Sequence, residues 1–146
     1  MSKVRCETYT KGPAFSETVL CELDTRFSRE TAKLAPSDND LPFGLVLMRK
    51  ANGQYGPLTE TPAKEASEGQ KATPAKLNGK ASAILLTPLE KSTEVQDAVI
   101  LRGYSIVNTA RLAWDASVSN KQEALTALSD RGFVLQEIQE VENADA

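Results

Sequence analysis

Large apolar residues in this chain arrive in short runs set off by proline or glycine, and that punctuation limits what it can fold into. Leu45-Val46-Leu47-Met48 follows Pro42 and Gly44, Ala81-Ser82-Ala83-Ile84-Leu85-Leu86 stops before Pro88, and Ala98-Val99-Ile100-Leu101 is followed by Gly103. Such runs have strand length, and a buried helix would need roughly ten residues or more. None approaches the ~18 apolar residues of a membrane-spanning helix. Val19, Leu20 and Leu23 predict a first strand, Ser28 to Leu34 a second, Tyr104 to Val107 a later one and Phe133 to Leu135 a closing one. Residues 98–101 lack alternation, as expected of a strand covered on both faces, and Gly103 marks a bulge or a close backbone approach.

One helix is signalled near the end. Ser119 and Gln122 have the spacing of a capping box, Ala124, Leu125 and Leu128 fall on one face, and Gly132 stands where a left-handed C-terminal residue belongs, with Phe133 placed to touch Leu128. Residues 51–80 differ in kind. They hold three Pro and four Gly, about twice the density of average usage, roughly 12%. Only Tyr55, Leu58 and Leu77 there are large and apolar, so the stretch reads as a long surface loop. The tetrapeptide Thr-Pro-Ala-Lys occurs in it at 61–64 and again at 73–76. Two copies do not make a solenoid, which needs three stacked units.

With 146 residues the chain fits one domain with appendages, and a body of this size buries about 68–70% of its unfolded surface. Its apolar content is thin for a free monomer, and oligomerisation would bury more. Lys and Arg number 17 against 20 Asp and Glu, for a net charge of −3. A nucleic-acid binder usually shows a basic face instead, because phosphate neutralisation supplies most of its affinity. The chain has two cysteines, Cys6 and Cys21, and no histidine. That set cannot make a four-ligand zinc site, and the lack of histidine excludes Ser-His-Asp and Cys-His catalysis. A Cys6–Cys21 disulfide is not expected in a reducing cytoplasm, where a chain starting without an apolar signal core is expected to be made. No metal or cofactor is implied.

Residues 1–17 are polar and broken by Gly12-Pro13, with Val4, Tyr9 and Phe15 as the sizeable apolar groups. They read as a flexible N-terminal arm. Residues 18–135 form the β-rich domain, and 136–146 form an acidic tail with Glu137, Glu140, Glu142 and Asp145. Trp114 is the largest side chain and reads as a core or subunit-contact anchor.

These segments, in order, resemble the lambda-type family of phage head decoration proteins. The resemblance begins at Phe27-Ser28-Arg29-Glu30-Thr31 and continues through Leu41-Pro42-Phe43-Gly44-Leu45-Val46-Leu47, with Tyr55 as the aromatic that follows. It resumes at Ala81 to Pro88, then at Val99-Ile100-Leu101-Arg102-Gly103, Val107-Asn108, Leu112 and Trp114, and ends on the helix-and-strand segment from Lys121 to Phe133. Residues 56–80 are longer than the family's usual connection, and the acidic tail runs past where many members stop.

The resemblance implies a mainly β domain of the β-tulip or β-clip type, with one short C-terminal helix. It implies a non-enzymatic capsid-stabilising protein that binds as a homotrimer at three-fold and quasi-three-fold sites on the outer surface of an expanded head. Its partners would be the major capsid protein and itself, with no nucleic acid and no membrane. Val4, Tyr9 and Phe15 are then the candidate capsid-binding residues of the arm, adding a strand to an exposed capsid edge. The competing reading is a cytoplasmic β-barrel or clip domain binding a small ligand or a partner protein, which needs a concave pocket with convergent polar groups. An enzyme using carboxylate or lysine chemistry would instead need buried groups with perturbed pKa values.

Overall fold

The computed structural model describes residues 15–138. In chain order the elements are α1 (Phe15–Thr18), β1 (Val19–Glu22), α2 (Thr25–Ser28), β2 (Arg29–Leu34), β3 (Val46–Arg49), β4 (Tyr55–Pro57), β5 (Glu60–Thr61), β6 (Lys76–Leu77), β7 (Ala81–Leu85), β8 (Gln96–Leu101) and β9 (Ser105–Asn108). A 3₁₀ turn (Thr109–Arg111), α3 (Lys121–Asp130) and β10 (Phe133–Gln136) complete the chain. The protein is mainly β with a short helix near the C-terminus. Two single helical turns, α1 and α2, flank β1 in addition, and α2 starts where Asp24 accepts the Arg26 N–H at 2.9 Å.

Five strands close a barrel in the order β2-β4-β3-β7-β8. Strand alternation then sorts side chains between two cores. Ala32, Leu34, Leu47, Ala83, Leu85, Ala98 and Ile100 point into the barrel with Tyr55, Leu41 and Leu45. Val46, Ile84 and Leu101 point outward, into a second core shared with α3 and a three-stranded sheet of order β1-β9-β10. The switch is local. Met48 pairs with Ala81 and Leu47 with Ala83, so Ser82 is an extra residue in β7, and this bulge puts Ala81 and Ile84 in the same core. All five residues of β7 are buried. A fully buried leucine such as Leu85 contributes roughly 1.5–3 kcal/mol by leaving water, so β7 is the strand on which both cores depend.

The expected strands appear within a residue or two, except at Leu23, which lies beyond β1 and is 78% exposed. Gly103 is the predicted close approach. It has φ +151°, and a Cβ there would lie 2.4 Å from the Arg131 carbonyl oxygen. Gly132 follows α3 with φ +89°, the left-handed residue that ends the helix, and Phe133 and Leu128 share the outer core.

Two expectations are corrected. The helix cap is Asn120, not Ser119: its side chain accepts the Glu123 N–H at 3.3 Å and donates to the Glu123 carboxylate at 2.9 Å. The cap thus sits one residue later, and the Asn120 N–H that a capping box would give to Glu123 is taken by Glu60 at 3.0 Å. Residues 51–80 are not simply a loop either. Tyr55 and Leu58 are buried, and β4 is a barrel stave that bonds both β3 and β2. Beyond it the chain forms one long antiparallel ribbon. Glu60 pairs with Leu77 and Thr61 with Lys76, and the same register continues through Lys64 with Thr73 and Ser67 with Gln70. The ribbon turns at Gly69, with φ +83°.

Candidate functional site

The surface around α1 and α2 gathers the charged and aromatic groups nearest the start of the described chain. Phe15 opens α1, and its ring lies 5.8 Å from that of Phe43, tilted by 43°. The Arg29 guanidinium sits 5.1 Å from the Phe15 ring centroid, within the range of a cation–π contact. Arg29 is itself held by Glu22, through Nε to Oε2 at 2.9 Å and the terminal nitrogen to Oε1 at 2.6 Å, while the Ser28 hydroxyl donates to Oε2 at 2.5 Å. This two-pronged geometry fixes the guanidinium plane. The Arg29 pairing holds the Glu22 carboxyl below its ordinary range and the Ser28 bond adds to this, against the opposing effect of burial.

Next to this clamp lie three exposed side chains that the sequence reading passed over: Leu23, Phe27 and Tyr104. The Leu23 N–H donates to the Tyr104 carbonyl at 3.0 Å, and Arg102 Nε donates to the Phe27 carbonyl at 2.7 Å, so the backbone ties all three segments together. Tyr104 has φ +53°, an uncommon conformation for a non-glycine residue. Tyr104 lies between Gly103, where a Cβ would run into the Arg131 carbonyl oxygen at 2.4 Å, and Gly132, whose φ of +89° calls for glycine and where a Cβ would only touch Tyr104 at 3.6–3.8 Å. The signal available in sequence was the aromatic between two strand-like runs beside Gly103. It could not reveal that Leu23, eighty residues earlier, would lie next to it.

Of the candidate arm residues, Val4 and Tyr9 lie outside the described residues. Phe15 is in α1, 40% exposed and held between Phe43 and Arg29. Trp114 is partly buried and packs against the outer core, and the Lys121 Nζ lies 5.7 Å from its ring centroid. It follows Ala113, whose N–H donates to the Gly44 carbonyl at 2.9 Å, one residue after the Phe43 of the Phe15 clamp.

The two best-held carboxylates both serve structure. Glu22 pairs with Arg29. Glu60, in the stretch read as loop, is 6% exposed and reaches α3: its carboxylate accepts the Ser119 hydroxyl, the Ser119 N–H at 3.3 Å and the Asn120 N–H at 3.0 Å. The Ser119 hydroxyl chiefly, and the two N–H groups after it, hold Glu60 below its ordinary range despite burial. Both groups are ionised at neutral pH, which is the wrong state for a general acid. Among the described residues no three His, Cys, Asp or Glu side chains are placed to hold a metal. The barrel interior is filled by side chains such as Leu34, Leu47, Leu85 and Ile100, each fully buried, so the barrel itself is a packed core and not a ligand cavity.

Among the described residues the arrangement around Phe15 is suited to surface contact. A protein-family model described as bacteriophage lambda head decoration protein D matches residues 8–133. No curated protein matches the chain.

Proposed function

Since the chain belongs to the bacteriophage lambda head decoration protein D family, and is thus a phage head decoration protein that binds the capsid, we propose that it acts as a homotrimeric cement on the outer surface of the expanded shell. Trimers occupy three-fold and quasi-three-fold positions and bind the major capsid protein, holding neighbouring capsomers together against the pressure of packaged DNA. The observation that carries this reading is the family match over nearly the whole chain, from the residues ahead of α1 to β10.

The exposed surface around Phe15 supports attachment through the N-terminal arm. Phe15 is fixed by Phe43 and Arg29, and α1 runs directly into β1, an outer strand of the three-stranded sheet. Strand addition of this arm to an exposed capsid edge provides backbone hydrogen bonds, and Val4 and Tyr9 fill pockets on the shell. The exposed Leu23, Phe27 and Tyr104 lie beside the Phe15 clamp and add apolar contact. One arm ordering on its own binds weakly. Three arms presented by one trimer act together, and linkage of this kind raises avidity by ~10²–10⁴. A trimer also matches the symmetry of a three-fold site.

The test is to mix purified protein with expanded and unexpanded shells and to count copies bound. Saturation at three per three-fold site, on expanded shells only, is expected. A companion variant lacking residues 2–13 keeps α1 and the Phe15 clamp, and loss of binding by this folded variant is expected. Equal binding to both shell forms, or undiminished binding by the truncated protein, overturns the mechanism.

A further inference from the structure

The barrel closes unevenly. Strand β2 pairs with β8 along its whole length, Arg29 to Leu34, but meets β4 at a single pair, Leu34 with Tyr55. Beside the earlier residues of β2 the barrel wall is therefore open. In an antiparallel pair the N–H and C=O of successive residues turn to opposite edges of the strand. The Ser28 carbonyl accepts the Arg102 N–H at the β8 edge, and the Ala35 N–H donates to the Tyr55 carbonyl at the β4 edge. By that alternation Glu30 and Ala32 bond to β8, whereas Arg29, Thr31 and Lys33 face the opening. Arg29 donates its N–H to the Thr25 carbonyl at the end of α2. The Thr31 N–H and C=O and the Lys33 N–H have no backbone partner among the described residues, and both residues are exposed.

The opening is a cleft of about 640 Å³ between β2 and the turn that joins β3 to β4, and its charge is one-sided. Lys33, Arg49, Arg102 and Arg131 line it, against the single carboxylate of Glu30. Two of these cations already face a carboxylate: Lys33 pairs with Asp97, and Arg102 lies 3.9 Å from Glu30. Arg49 and Arg131 make no ion pair and no side-chain hydrogen bond among the described residues. Asp130 lines the adjoining hollow with Arg102 and Arg131 and pairs with neither. In a chain of net charge −3 the cleft is thus a local surplus of positive charge, set in the barrel wall where one strand edge is bare.

Two kinds of ligand group are called for in one place. Free N–H and C=O groups on a strand edge are met by another extended backbone, which adds itself as a strand. Arginines beside that edge favour carboxylates, which they can hold through paired hydrogen bonds. A bare edge pairs indiscriminately unless charge limits what approaches it. Here the arginines repel a basic segment and attract an acidic one, so the same groups supply affinity and selection.

We propose that the open edge of β2 is a docking site for an extended acidic segment of a partner protein. The segment adds as a strand in the cleft between β2 and the β3–β4 turn, bonded to Thr31 and Lys33, with its carboxylates on Arg49 and Arg131. The N-terminal arm gives a strand to the shell, whereas this edge receives one. The two contacts use different parts of the chain, and this one needs neither the arm nor the shell to form.

The test uses the full chain and a synthetic heptapeptide, acetyl-Thr-Glu-Val-Glu-Val-Glu-Thr-amide, followed through the backbone amide resonances of the protein. Saturable shifts centred on Thr31 and Lys33 are expected, and both amides should gain protection from hydrogen exchange. The same peptide with Gln for Glu is expected to bind roughly tenfold or more weakly, and so is the Glu peptide to Arg49→Gln with Arg131→Gln. Both arginines are exposed, and unmoved α3 and β8 amides check that the variant is folded. N-methylation of the peptide at alternate residues removes the N–H groups of one edge at a time. One phase is expected to abolish binding and the other to preserve it. Equal binding of the two N-methylated peptides, equal binding of the Gln peptide, or no saturable shift at roughly millimolar peptide would each overturn the proposal. The same shifts produced by N-acetylglutamate alone would reduce the cleft to an anion site and overturn strand docking. A Thr31 amide already protected in the free protein would show that the chain covers this edge itself, with the same consequence. The copy count on expanded shells stands or falls separately.

Discussion

Strand β7 and the 60–77 ribbon are near neighbours in the chain and both pair antiparallel, yet every residue of Ala81–Leu85 is buried whereas residues 61–76 are all exposed. β7 is held by removal of apolar surface on both its faces, so its register is enforced from two sides and a slip would expose one core or the other. The ribbon has no such enforcement. Its register is set by a tight turn at Gly69 and by the polar lock of Glu60 and Asn78 at the root. The same backbone ladder thus serves stability in one region and presentation in the other.

Substitutions separate these two regimes. The largest effect is expected inside the barrel, where Leu85→Ala should cost about 2–5 kcal/mol, read as a lower denaturant midpoint with the slope unchanged. Gly103→Ala comes next, at roughly 1–3 kcal/mol, because a Cβ there meets the Arg131 carbonyl and φ is +151°. Asn120→Ala should cost about 1 kcal/mol through loss of the α3 cap.

The Glu60 lock should act locally and depend on pH. Its folded pKa lies below the ordinary value of 4.5, so its contribution is complete above that pH and disappears as pH falls through the lowered value. The Ser119 and Asn120 amide resonances should titrate in that acid range in the wild-type protein. Glu60→Gln should abolish the titration while leaving the barrel amides unmoved; an unchanged titration would mean that another group supplies the cap. Smallest of all, Lys71→Ala in the ribbon should change monomer stability by no more than about 0.5 kcal/mol. A larger loss would show that the ribbon packs on its own body, and the contrast between the two regions would fail.

Much of the body was legible because its signals are local. The runs ending at Pro88 and broken at Gly103, and the helix stop at Gly132, depend on neighbours a few residues away, and each falls where the punctuation places it. The helix start was misplaced by one residue because Ser119 and Asn120 are both capping residues. What separates them is Glu60, fifty-nine residues earlier, which occupies the Ser119 hydroxyl. Of the exposed Leu23, Phe27 and Tyr104, the sequence signals Tyr104 alone, as the aromatic beside Gly103, since single apolar residues at turns carry no periodicity.

By itself, the sequence determined that this chain is built from short strands with one late helix, and the order of its motifs placed it among head decoration proteins. Only the tertiary structure decided that five of those strands close into a barrel, that Glu60 is buried against α3, and that the repeated Thr-Pro-Ala-Lys faces itself across a projecting ribbon. The physical reason is range. Turn chemistry and side-chain period act within a few residues, whereas pairing between distant strands is chosen by the burial that the whole chain achieves together.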